Sequence, residues 1–272
     1  MRQKAVDFFI KNTNIKLEQI HQVKKIHHGF TNLSYVFVLK NKDKYQVRLA
    51  QNNDIVNRKN EYNVIKAIGE TNYIYIDDEG NAIKKWIMGK PPKFIFNKKL
   101  LLKLLMLEIK KIHEINIENN DILKHDYFVF FEKTKFINEI DKEIYLKLVD
   151  KYKTLKLTLS HNDINPNNII YNSKNKKLFL IDFEWGRINN EYWDLANFFR
   201  ETNLSLKWLE YMLSFFDGLK KDILVDFIYI SLNYAYQWTQ AMPESKKILK
   251  YQQFVFKKLN FYRKFISLKI NG

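Results

Sequence analysis

Residues 160–170 read SHNDINPNNII, set between the extended run LKLTL and the strand-like IIY; a second apolar run, KKLFL, then leads into IDFE at 181–184. Short polar residues crowd an apolar frame there, and the frame predicts strand, loop, strand. Asp163, Asn168 five positions later, and Asp182 at the end of the following strand form a set that suits transfer of a γ-phosphoryl group. Such chemistry needs a carboxylate to orient the attacking hydroxyl and accept its proton, and hard oxygen ligands for the Mg²⁺ ions that neutralise a triphosphate. The frame predicts that the three side chains gather at one end of a hairpin. A lone His-x-Asp with a downstream Asn is also ordinary turn chemistry, and IDF alone is only a strand end. It is the two together, in order and at hairpin spacing, that carry the signal.

Upstream, residues 33–50 alternate as two β-rich runs around the turn NKDK. NRKNEYNVIKAIGE follows with a helical apolar spacing that stops at Gly69, and the short strands YIYID and AIKKWIM flank the turn DEGN. Gly89, Pro91 and Pro92 then mark a connector, after which KKLLLKLLMLEIKKIHEI reads as a long amphipathic helix. From Trp193 onward the chain is mainly helical and rich in aromatics. We therefore expect an α+β protein of two lobes, a small β-rich one over 1–88 and a larger, mainly helical one over 89–272.

The 272 residues, 46% hydrophobic and 15% aromatic with only 7 Gly and 4 Pro, are enough for sizeable cores and exclude general disorder. With no cysteine, disulfides and thiolate metal sites are excluded and a reducing compartment is the easier home. The opening MRQKAVDFFIKNTN is too short in its apolar part for a secretory signal, and no segment has the ~18 apolar residues of a membrane span. These features predict a cytoplasmic protein without stable membrane insertion. The net charge of +16 invites a nucleic-acid reading, but it is almost all lysine spread along the chain. No Arg/Lys block interleaved with aromatics appears, so we expect no nucleic-acid partner; a basic nucleic-acid-binding protein with HNDINPNN as a mere turn is the rival from another class.

HNDINPNN and IDFEWGRINNEYWDLANFFRE resemble the choline and ethanolamine kinases, which share a protein-kinase-like fold with the aminoglycoside phosphotransferases. The likeness follows the order of elements along nearly the whole chain and is specific over about 159–201. It implies Asp163 as catalytic base, Asn168 and Asp182 as Mg²⁺ ligands, and His161 and Asp194 as braces of the loop. HHGFTNLSY looks like the family's phosphate-covering turn, with Gly29, Thr31 and Asn32 approaching ATP, although only one glycine is present. Arg48 in YQVRLA stands where protein kinases carry the strand lysine, with Glu61 as its partner. An ordinary surface ion pair is the alternative for those two. KWIMG would be the hinge that meets the adenine edge, and His113 a structural histidine of the long helix.

A quaternary ammonium needs aromatic faces and a nearby carboxylate, each contact contributing roughly 0.5–2 kcal/mol. The resemblance puts Asn165, Trp185 and Glu201 beside the alcohol substrate, and LNYAYQWTQA offers Tyr236 and Trp238. Those two are two positions apart, so at most one should line a pocket. The resemblance thus implies a kinase that moves the ATP γ-phosphoryl group to the hydroxyl of choline, with ethanolamine, thiamine or an aminoglycoside as other acceptors on the same fold. Oligomeric state is left open.

Overall fold

The computed structural model describes residues 1–26, 32–51, 56–70, 72–94, 97–118 and 121–270, of which 32 and 267–270 are described by their backbone alone. A helix, α1 (Arg2–Lys11), precedes a five-stranded antiparallel sheet of β1 (Ile20–Ile26), β2 (Asn32–Leu39), β3 (Lys44–Ala50), β4 (Tyr73–Ile76) and β5 (Ala82–Lys85), ordered β1-β2-β3-β5-β4. In β2 the alternate residues Tyr35, Phe37 and Leu39 are buried, as the period of two requires of a strand with one covered face. They pack with Ala5, Val6 and Phe9 of α1, whose Phe9 ring sits 4.5 Å from that of Phe37. The opening residues thus cover this small core.

Helix α2 (Arg58–Ile68) starts where the Asn57 side chain accepts from the Asn60 backbone N–H at 2.9 Å and ends at the left-handed Gly69. Between β3 and β5 in sequence, it belongs by packing to the other lobe: Val64 and Ile65 are buried in the larger core. Beyond β5 the connector runs close to that lobe. Lys90 bridges to Tyr171, and a Cβ on Gly89, whose φ is +150°, would stand 2.7 Å from the Tyr171 carbonyl oxygen and from Ile170 Cγ2, so only glycine fits without rearrangement.

The second lobe contains α3 (Lys98–His113), α4 (Glu139–Lys151), α5 (Trp193–Glu201), α6 (Trp208–Leu213), α7 (Lys221–Ala241) and α8 (Lys246–Ile270). Two small antiparallel pairs lie among them: β6 (Leu157–Ser160) with β9 (Arg187–Asn190), and the hairpin of β7 (Ile169–Asn172) with β8 (Lys177–Leu180). Leu101, Leu102, Leu105, Met106, Ile109 and Ile112 put the stripe of α3 into the core at helical spacing. Among the described residues no helix is long and apolar enough to cross a membrane.

Candidate active site

The stretch at 160–170 leaves β6, turns, and enters β7. Asn162 takes the left-handed conformation with φ 62°, which Asn tolerates better than most residues. Its backbone N–H donates to Asp194 Oδ1 at 2.8 Å, and the His161 N–H donates to Asp194 Oδ2 at 2.9 Å. His113 Nε2 meets the same Oδ2 at 3.0 Å, so one fully buried carboxylate ties the loop to α5 and α3. His161 Nε2 lies 3.0 Å from the Ile181 carbonyl and its ring packs on Phe183, which joins the loop to the IDFE segment.

Asn165 caps a short 3-10 turn, Pro166–Asn168, by accepting from the Asn167 N–H at 2.9 Å. Its amide also donates to Asp163 Oδ1 at 3.2 Å, while Asn168 Nδ2 donates to Asp163 Oδ2 at 2.8 Å and to the Asp163 carbonyl at 2.9 Å. Both oxygens of Asp163 are held, so its orientation is fixed before any ligand arrives. The Ile181 N–H donates to the Asn168 carbonyl at 2.9 Å, which brings Asp182, left-handed at φ 68°, to the same end of the β7–β8 hairpin. Asn168 Oδ1 and the Asp182 carboxylate accept no hydrogen bond and make no ion pair among the described residues.

Burial, then the charge of Glu201, pushes the Asp163 carboxyl up to about 7, against the opposing effect of Arg200. Glu184 is likewise pushed up to about 7 by burial and by Asp182, with Arg58 opposing. Anionic groups crowd this end of the hairpin, and the oxygens of Asn168 and Asp182 that accept nothing among the described residues match what Mg²⁺ takes from a protein, one or two oxygen groups with the rest from phosphate and water. No set of three or more His, Cys, Asp or Glu side chains forms a self-sufficient metal site among the described residues. Asn168 and Asp182 are the residues that fit the ion.

Arg48 and Glu61 are buried, not a surface pair. Arg48 Nη1 meets Glu61 Oε1 at 2.7 Å, and Arg48 Nε donates to the Gly80 carbonyl at 2.9 Å. Arg48 Nη2 is buried with no partner among the described residues, a donor left over for an anion. Burial alone would raise Glu61, but the charge and hydrogen bond of Arg48 hold it below the usual carboxylate range. Arg58 bridges Glu61 at 2.8 Å to Glu184 at 3.2 Å, so the chain of charges runs from the sheet to the IDFE turn. Gly29 and Thr31 lie outside the described residues, and Asn32 is described only as the first residue of β2.

A cavity of about 960 Å³ opens beside Asp163, lined by Trp185, Trp193, Tyr234, Trp238 and Tyr251, with Asn165 and Glu201 also in its wall. Glu201 receives Arg200 Nε at 2.7 Å and the Tyr251 hydroxyl. Lys258 of α8 donates to the carbonyls of Phe199, Arg200 and Thr202, capping α5 at the point where Glu201 enters the cavity. Tyr236 corrects one expectation: it is not among the lining residues and packs on the helical core, since α7 turns it away from the face that carries Trp238. Sequence reasoning missed His125, Arg187, Trp193, Arg200, Tyr234 and Tyr251. Only Arg200 left a signal, as a basic residue inside the apolar run NFFRE. The His125 ring lies tilted, 4.4 Å from that of Trp193 and 4.9 Å from that of Tyr234, with Nε2 buried and without a partner among the described residues.

A family model described as choline/ethanolamine kinase matches residues 135–217. The chain is 36% identical to the MG356 homolog of Mycoplasma pneumoniae over 96% of its own length and 93% of that protein's. Among solved structures it is similar to the choline kinase LicA from Streptococcus pneumoniae, with a TM-score of 0.71 at 19% identity, covering 94% of this chain and 99% of that one. An ethanolamine kinase from Plasmodium vivax gives a TM-score of 0.71 at 15% identity over 93% of this chain and 85% of that one. Those two likenesses establish the two-lobed kinase-like fold. By full-length likeness to one protein, a family match centred on its site, and a shared fold, the chain belongs to the choline/ethanolamine kinase family.

Proposed function

We propose that this small-molecule kinase transfers the γ-phosphoryl group of ATP to the hydroxyl of a small amino alcohol, choline being the acceptor that its walls suit best. The observation that carries the reading is Asp163, held through both carboxylate oxygens by Asn165 and Asn168 at the wall of an aromatic cavity that Glu201 also enters. With residues 1–88 as the nucleotide lobe and 89–272 as the acceptor lobe, the connector at Gly89 passes between them. ATP is the donor favoured by the family and by the AMP complex known for LicA.

Asp163 orients the acceptor hydroxyl and takes its proton as the oxygen forms a bond to the γ-phosphorus and the bond to the ADP oxygen breaks. A carboxyl poised near neutrality suits that task. Asn168 and Asp182 would hold Mg²⁺, which when bound neutralises charge on the phosphates. The spare N–H of Arg48 would meet a phosphate oxygen, with Glu61 fixing the guanidinium. The cavity wall includes Lys124, Lys133, Arg187, Arg200 and Lys247 against Asp126, Asp163 and Glu201, a lining that disfavours a polycationic aminoglycoside. A single quaternary charge placed against Glu201 and the rings of Trp185, Trp238 and Tyr251 is compatible with it.

Ethanolamine is the second reading, favoured by one feature. The unpartnered Nε2 of His125 can accept from a primary ammonium, whereas a trimethylammonium has no proton to give it. An ADP-release assay across choline, ethanolamine and aminoglycosides decides among them. Asp163→Ala is expected to abolish turnover, by at least about a hundredfold, while its unfolding transition stays cooperative. Near-normal turnover in that variant sinks the assignment, and preference for ethanolamine over choline sinks the quaternary cage.

A further inference from the structure

Helix α8 is 25 residues long and contains no aspartate or glutamate. One side of it is spent on the protein: Val255, Leu259, Tyr262 and Ile266 are buried in the core, Lys258 caps α5, and Arg263 pairs with Asp141. The opposite side is left to solvent, and there Leu249, Phe256, Phe261 and Phe265 are exposed at 41%, 40%, 51% and 37%. Leu249 and Phe256 are seven apart and Phe261 and Phe265 four apart, so each pair forms a ridge along the helix. Between the ridges runs a basic stripe, because Lys250, Lys257 and Lys264 repeat every seven positions and are all exposed. Lys246 extends that stripe at the start of the helix.

We infer that this face of α8 docks on an anionic lipid surface, its lysines against headgroup phosphates and its phenylalanines in the interfacial layer. Charge complementarity selects this occupant. A second copy of the chain would set one lysine stripe against another in a molecule that already carries +16. A nucleic acid would satisfy the lysines but leave four large apolar side chains without a partner, and the described exposed face has no arginine for base edges. A bilayer surface uses both kinds of side chain, in the manner of basic helices that lie in the interface. Lys247, Ile248 and Tyr251 of the same helix line the acceptor cavity, so the docked face begins at the cavity rim.

The test is cosedimentation of the full chain with vesicles of equal parts phosphatidylglycerol and phosphatidylcholine, against vesicles of phosphatidylcholine alone and against single-stranded homopolymer RNA. Binding is expected to the anionic vesicles only and to weaken as salt rises. With each lysine contributing about fivefold near such a surface, Lys250→Glu, Lys257→Glu and Lys264→Glu together should weaken binding at least about a hundredfold. Phe256→Ser with Phe261→Ser should weaken it about tenfold with the lysines intact. Melting temperatures confirm that both variants fold, and each alone suffices as a test. Equal binding to both vesicle types, no binding at low salt, unchanged binding in the variants, or RNA binding without vesicle binding overturns the inference.

Discussion

Replacing Asp194 by asparagine changes one atom and should cost more than any surface substitution in this chain. Its two oxygens accept from three donors, the backbone N–H groups of His161 and Asn162 and the His113 ring, at 2.9, 2.8 and 3.0 Å, and the side chain is fully buried. Asparagine can present one oxygen to the His161 and His113 side of the site. Its amide nitrogen then faces the Asn162 N–H, donor to donor. An orphaned buried donor costs about 1–3 kcal/mol, and loss of the charge from the other two bonds adds about 1 kcal/mol each, for a total of about 3–5 kcal/mol. Against the ~5–15 kcal/mol that holds a typical domain folded, the variant survives but is plainly weakened. Urea unfolding followed by tryptophan fluorescence should show a midpoint lower by about 1 M or more. Because the same bonds hold Asn162 in its left-handed state next to Asp163, kcat should fall in excess of any change in KM for the acceptor. An Asp194→Asn protein within about 1 kcal/mol of the parent and with unchanged kcat would refute the view that this carboxylate braces the loop.

Gly89→Ala places a methyl group 2.7 Å from a backbone oxygen at a φ of +150°, so a loss of about 2–4 kcal/mol in thermal unfolding is expected, and a melting temperature equal to the parent's contradicts the close approach of connector and hairpin. Burial, aided by the charges of Arg187 and Arg200, pushes the His125 ring down to about 3 from its ordinary 6.5. The unfolded chain therefore binds the extra proton between pH 6.5 and 3, and stability contributed by the neutral ring is full above that window and falls as pH drops through it, by up to about 1.4 kcal/mol per unit. His125→Phe should flatten that slope in urea titrations at pH 7.5 and 5.5; identical slopes in the two proteins would show that the ring titrates normally.

The loop and the IDFE segment were legible because their chemistry demands particular residue types at fixed spacing, and Asp163 and Asn168 meet within one turn of chain. The strands of the first lobe were legible for a different reason, since one covered face imposes a period of two on β2. The cavity wall was legible only in part: Asn165, Trp185, Glu201 and Trp238 line it, but most other wall residues left no signal. Trp193, Tyr234 and Tyr251 come from α5, α7 and α8, and whether an aromatic on a helix faces a cavity or a core depends on how three helices cross, which no local pattern encodes. Tyr236, half-buried against the core, and Trp238, in the cavity wall, divide as two positions on one helix must. Helix α1 was missed although Ala5, Val6 and Phe9 have the spacing of a buried face, because the segment was weighed only as a signal sequence.

Helix α2 shows how the two lobes are mechanically joined. Its Val64 and Ile65 are buried in the larger core, and a Cβ on Gly186 would stand 2.7 Å from Val64 Cγ1, so the helix lies directly on the turn that follows Asp182. The Asn60 side chain donates to the Gly186 carbonyl at 2.8 Å and accepts from the Leu123 N–H at 2.7 Å, both in the second lobe. Beside the packing of Tyr73 and Ile76 of β4 on the core that holds Val64 and Ile65, the buried pair of Arg48 and Glu61 ties α2 back to the sheet. Displacement of the five-stranded sheet against the helical lobe therefore either separates that pair, leaving the buried Arg48 guanidinium without its carboxylate at a cost of several kcal/mol while Glu61 keeps Arg58, or carries α2 along and breaks its bonds to Gly186 and Leu123. Arg48 of the sheet is thus joined to the turn that follows Asp182 by ion pairs running Arg48 to Glu61 to Arg58 to Glu184. That chain of charges works alongside the connector, which is itself held to the β7–β8 hairpin by the paired backbone bonds of Lys90 and Tyr171 and by the close approach at Gly89.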